Sequence, residues 1–98
     1  MQIEYKNKKI EKICTRAGEA EKKHGKDMAE KIRMRIRQIE AAESVEQMIQ
    51  WNIGRCHFLL GQRQGQYAVD LVHPYRLVFE KEGDLIQIAW ITEIVDYH

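Results

Sequence analysis

The chain contains one proline, two cysteines and no long apolar run. A single proline, with 44% hydrophobic and 32% charged residues, argues against a disordered chain, which lacks the apolar surface to offset its ordering entropy. Cys14 and Cys56 lie far apart and in no C-x-x-C or metal-ligand spacing. They read as small buried hydrophobes, and no metal or other cofactor is expected. No stretch approaches the roughly 18 apolar residues of a membrane span. The opening MQIEYKNKKI has no apolar signal-peptide core. The expectation is a cytoplasmic protein without membrane association. No internal repeat or low-complexity segment is present. What remains is one domain, residues 1–98, large enough to bury a core unaided.

The net charge of +1 hides an asymmetry. Residues 1–44 hold 12 Lys/Arg against 8 Asp/Glu, whereas residues 45–98 hold 4 against 7. The first half is a mild partner for polyanions.

The hydrophobic pattern divides the chain into helices followed by strands. Residues 3–5 (IEY) read as a short edge strand. Ile10, Ile13, Cys14 and Ala17 follow helical spacing. Either Gly18 ends that helix, or it runs on to His24 and stops at Gly25. Asp27 and Glu30 have capping-box spacing, and Met28, Ile32, Ile36 and Ile39 share one helical face, which predicts a helix over 28–42. Lys31 and Arg35 flank that face on one side, Arg33 and Arg37 on the other. Their stems cover the core edge, and the heads offer a surface for an RNA backbone or an acidic partner. Ser44 and Gln47 repeat the cap for a short helix over 45–50. Four segments rich in β-branched and aromatic residues follow, at 55–60, 66–72, 75–80 and 85–95. Short turns between them make neighbouring strands antiparallel. The expected fold is α+β, with two or three N-terminal helices packed on a mainly antiparallel sheet. Trp51 and Trp90 read as core anchors, His24 as a solvated cap and His73 as a turn residue.

Strand alternation sorts the later side chains into faces. Tyr75, Leu77 and Phe79 form an apolar face, with Arg76, Val78 and Glu80 opposite. Cys56, Phe58 and Leu60 read as core, with Arg55, His57 and Leu59 opposite. His57 and Arg76 therefore share the open face. The last strand is apolar on both sides, so a bulge or double coverage is expected, and the faces of Asp96 and Tyr97 stay open. Two imidazoles, a guanidinium, a carboxylate and a phenol suit metal-free cleavage of RNA. That reaction needs a base for the 2′-OH, an acid for the leaving 5′-oxygen and cations for the phosphate. Histidine titrates in the right range, and the arginine fork matches two phosphate oxygens.

The tail IVDYH, the block CHFLLGQRQGQYAV, the segment YRLVFE and the opening YKNKKIEKI together resemble HigB-type toxins of the RelE/ParE toxin–antitoxin superfamily. The resemblance covers nearly the whole chain. It rests most on the terminal D-Y-H combined with H-x-L-x-G-x-R-x-G-x-[YW]. It implies a RelE/ParE-like toxin domain acting as a ribosome-dependent mRNA endonuclease, or mRNA interferase, that inhibits translation without a metal or other cofactor. The implied partners are the ribosome, mRNA and a cognate helix-turn-helix (HigA-like) antitoxin, with DNA reached only through the antitoxin complex. By the same resemblance Arg76 stabilises the phosphate, His57 and His98 transfer protons, Asp96 orients or transfers a proton, and Tyr97 stacks on the RNA. Arg55, Arg63, Lys31 and Arg35 are further RNA-binding candidates.

Two features depart from the pattern. The family block commonly reads H-P-L-K-G-D-R, and here Phe58, Leu60 and Gln62 stand at the Pro, Lys and Asp positions. Leu60 removes a cation that Arg55 or Arg63 would have to replace. The acidic second half also runs against a ribosome-binding role. The alternatives are a ParE-like toxin that binds DNA gyrase without cutting RNA, and a decayed toxin retaining only antitoxin binding. The terminal D-Y-H, generally absent from the ParE branch, favours the nuclease.

Overall fold

A computed structural model describes residues 1–97. The elements run β1 (Gln2–Tyr5), α1 (Lys8–Thr15), α2 (Ala17–His24), α3 (Lys26–Ala41), α4 (Val45–Gln50), β2 (His57–Phe58), β3 (Gln66–Asp70), β4 (Tyr75–Glu82) and β5 (Ile88–Asp96). The five strands form one sheet in the order β1-β5-β4-β3-β2. The pairings β2–β3, β3–β4 and β4–β5 are antiparallel, as their short connections require, and β1 pairs parallel with β5 at the edge. The fold is α+β, with four helices on a mixed, mainly antiparallel sheet.

The helix starts follow local chemistry. Asn7 caps α1 by accepting from the Ile10 N–H at 3.0 Å. Ser44 caps α4 by accepting from the Gln47 N–H at 3.0 Å. The Gln47 side chain answers to the Glu43 N–H at 3.0 Å, one residue before the cap. The expected Asp27 capping box does not form. Gly25, at φ 88°, both ends α2 and starts α3, so Asp27 falls inside the first turn and acts only on the helix dipole. Of the two readings of the first helix, the chain follows the one reaching His24, with a break at Arg16.

One sheet face carries the core. Ile10, Ile13, Ile32, Ile39, Val45 and Met48 from the helices meet Val69, Leu77, Phe79 and Ile91. Full burial of side chains of this size contributes roughly 1.5–3 kcal/mol each. The other face has only a small buried cluster, Leu59, Ala68 and Val78, against which Val95 and Tyr97 pack.

The register of β5 shifts opposite Val78 and Phe79: Val78 pairs with Glu93 but Phe79 with Ile91. Thr92 is the extra residue of a bulge, which flips the alternation and explains why this strand is apolar on both faces. The strand also starts later than expected. Leu85 and Ile86 are 96% and 88% exposed in the turn before it. Gln87 is drawn inward there, accepting from the Val45 N–H at 2.8 Å. Likewise β2 is shorter than the expected 55–60: Leu60 is 81% exposed, because the chain leaves the sheet for a 3₁₀ turn at Gly61–Arg63. The tryptophans are not core anchors. Trp51 is 64% exposed, and Trp90 lies on the open face with its indole N–H on Glu82 at 2.7 Å. Both cysteines are buried, and burial pushes each thiol up to about 12. No helix is long and apolar enough to cross a membrane among the described residues.

Candidate functional site

The register brings His57 and Arg76 to one face. His57 pairs with Ala68, Ala68 with Val78, and Arg76 stands two residues before Val78. The two side chains meet there, with Arg76 Nη1 3.4 Å from His57 Nε2. The other imidazole nitrogen, Nδ1, lies 2.8 Å from the Arg55 carbonyl. A carbonyl only accepts, so in the neutral imidazole this contact places the proton on Nδ1 and leaves Nε2 as the acceptor. His57 thus presents a proton acceptor beside a fixed cation.

Arg76 is the hub of the cluster. Its Nε is 3.5 Å from Asp70 Oδ1, on the directly opposed residue of β3. Its guanidinium lies over the Tyr97 ring, 4.9 Å from the centroid. The bulge in β5 carries Tyr97 to this face. Its backbone N–H is anchored on the Pro74 carbonyl at 3.0 Å. Arg63 lies on the same ring at 5.9 Å, and also binds Glu93 and, at 3.0 Å, Gln66. The hydrogen bond that Arg63 donates to Glu93 raises the Arg63 pKa above its ordinary value.

Arg55 completes the cationic side. Its Nε is 3.3 Å from Asp70 Oδ2, and its side chain is 72% exposed. It is positioned by an unusual turn in which Asn52, Gly54 and Arg55 have φ of 53°, 58° and 55°. Positive φ is costly for a residue with a Cβ, and such strain concentrates at functional sites. Gly54 suits this turn on two counts, its positive φ and the absence of a Cβ, which would come within 2.9 Å of Arg35 Nε. Arg35 reaches this turn from α3. It donates from Nε to the Asp70 carbonyl at 2.6 Å and from Nη1 to Gln38 at 2.9 Å. Burial lowers its pKa, with Asp70 opposing. A cleft of about 270 Å³ is lined by Arg55, Asp70, His73, Tyr75, Arg76 and Tyr97.

The remaining candidates fall elsewhere. Asp96 pairs with Tyr75, so alternation puts it on the face opposite Arg76 and Tyr97. Lys31 sits in the helix layer, one turn before Arg35 on α3. His98 lies outside the described residues. Asp70 went unrecognised in the sequence. The hairpin centres on His73, with Leu71 N–H bonded to the Tyr75 carbonyl at 2.9 Å, and this register pairs Asp70 with Arg76. A turn placed at His73-Pro74 is one step out of that register.

No protein-family model matches the sequence, and neither does any curated protein. Among solved structures the chain is similar to a YoeB/ParE toxin from Agrobacterium tumefaciens, with a TM-score of 0.67, 16% identity and all of both chains covered. The fold of this chain is therefore RelE/ParE-like.

Proposed function

We propose that the chain is the toxin of a type II toxin–antitoxin system and acts as a ribosome-dependent mRNA endonuclease. The observation that carries this reading is His57 Nε2 held 3.4 Å from the Arg76 guanidinium on the open face, with Nδ1 on the Arg55 carbonyl. The RelE/ParE-like fold and the terminal D-Y-H support it. In this scheme His57 Nε2 takes the 2′-OH proton as O2′ attacks phosphorus. The bond from phosphorus to the 5′-oxygen breaks, and that oxygen receives a proton from His98, a role resting on the resemblance alone. Arg76 meets the charge that builds on the non-bridging oxygens. Tyr97 backs Arg76 and stacks against an unpaired base. The products are a 2′,3′-cyclic phosphate and a 5′-hydroxyl. Asp96, on the other face, acts through orientation of its neighbours. The partners are the ribosome with its mRNA and a HigA-like antitoxin, in the cytoplasm. Analysis of RNA end groups after incubation in a translating extract tests the chemistry. Cyclic phosphate ends with wild type and none with His98→Ala support it. Equal cutting by His98→Ala removes that residue's role.

A second reading is a ParE-like toxin that binds DNA gyrase. One observation favours it: Trp90 stands between Glu4 and Glu80 on the open face and bonds Glu82, an acidic surface that rRNA would repel. Inhibition of gyrase supercoiling without any cut message would establish this reading instead.

A further inference from the structure

The nuclease reading leaves unexplained why a carboxylate sits among the cations of the cleft. Asp70 is directly opposite Arg76, and its two oxygens divide between two guanidiniums, Oδ1 toward Arg76 Nε and Oδ2 toward Arg55 Nε. Oδ1 is buried and has no hydrogen bond among the described residues, so the nearby guanidinium is its electrostatic partner. Both contacts use the Nε edge. A guanidinium has five N–H groups, and its outer edge is the one that matches two phosphate oxygens. Holding each arginine by Nε keeps Asp70 off the Nη groups, of which Arg76 Nη1 faces His57 Nε2, where the reacting phosphate would sit. The backbone of Asp70 is itself fixed by Arg35, and Arg55 is delivered by a turn with three positive φ values. Several independent devices therefore converge on one arrangement of two arginines around one carboxylate.

We propose that Asp70 is a positioning residue that sets Arg55 and Arg76 as a two-armed fork for a single RNA phosphodiester, an inference that rests on the nuclease reading. Asp70 touches neither substrate nor reacting atoms. It fixes the direction of the two guanidiniums and lowers their mutual repulsion in the empty cleft.

The test follows the arginine Nε–Hε signals by nitrogen-15 NMR, assigned with Arg55→Lys and Arg76→Lys. The probe is a short single-stranded RNA with 2′-O-methyl groups, which lacks the attacking hydroxyl. In wild type both signals shift together on adding the probe. In Asp70→Asn, an isosteric change, exchange of the Arg76 Nε–H with water speeds up at least tenfold and the joint response is lost. Cutting in a translating extract falls at least tenfold at saturating ribosomes, and Asp70→Glu recovers part of it. Thermal melts confirm that the variants are folded. Signals that are the same in Asp70→Asn and wild type, or unchanged cutting by Asp70→Asn, overturn the proposal. A wild type that leaves messages intact while both signals still respond to the probe removes the nuclease reading and keeps the fork.

Discussion

The guanidinium of Arg76 lies over the Tyr97 ring, 4.9 Å from its centroid, while its Nη1 approaches His57 Nε2 at 3.4 Å. The same cation is thus fixed by a ring on one side and faces a proton acceptor on the other. Arg76→Lys keeps the charge but loses the planar fork and the stacking. Cutting of message in a translating extract is expected to fall about 10²-fold, the scale of losing one transition-state donor. A loss of less than threefold would mean that point charge alone suffices.

Tyr97 separates a packing role from a hydroxyl role. Its ring packs on the cluster of Leu59, Ala68 and Val78, while its buried hydroxyl has no hydrogen-bond partner among the described residues. Tyr97→Phe is expected to leave stability unchanged or raise it by up to about 1 kcal/mol, since an unpartnered buried polar group is removed. Tyr97→Ala is expected to cost about 1–2 kcal/mol of apolar burial and to abolish cutting. Urea unfolding monitored by fluorescence checks the first part. A Phe variant much less stable than wild type would show that the hydroxyl has a structural partner.

The core of the fold was legible in the sequence because it depends on period. The face of Tyr75, Leu77 and Phe79, the shared face of His57 and Arg76, and the Ser44 cap all follow from local spacing. What was not legible depends on register. The extra residue at Thr92 decides that Tyr97 joins Arg76 while Asp96 does not, and no single strand encodes that shift. The pairing of Asp70 with Arg76 was hidden in the same way, by a hairpin centred on His73. Composition places both tryptophans in the core, whereas Trp51 is exposed and Trp90 pairs with Glu80 on the sheet face opposite the helices.

The HigB resemblance leads one to expect a lysine at Leu60. It is 81% exposed and makes no core contribution. Leu60→Lys is expected to change stability by less than about 0.5 kcal/mol, as exposed substitutions do. It is expected to strengthen binding of single-stranded RNA by adding a cation at this exposed position, with a steeper salt dependence. Fluorescence anisotropy at two salt concentrations checks this. Unchanged affinity would show that Arg55 already does the lysine's work.

The buried thiols set an alkaline limit. Burial raises Cys14 and Cys56 from an ordinary 9.0 to about 12. In the unfolded chain they ionise near 9.0, so the unfolded state loses protons that the folded state retains. The stability they contribute is complete below pH 9 and is lost as pH rises toward 12. Tyr5, raised by burial from 10.0 to about 12, acts in the same direction. Thermal melts from pH 8 to 11 are expected to show a falling midpoint. Replacing both cysteines with alanine is expected to flatten the fall, and an equal slope would assign it to other groups.

The most direct measurement is primer extension on a defined message in a translating extract, comparing wild type, His57→Ala and Arg76→Ala, all shown to be folded. The account predicts discrete cuts with wild type, which disappear when translation is blocked before the ribosome engages the message. It predicts a loss of at least 10²-fold in each variant. An uncut message with wild type, or equal cutting by His57→Ala, would contradict it.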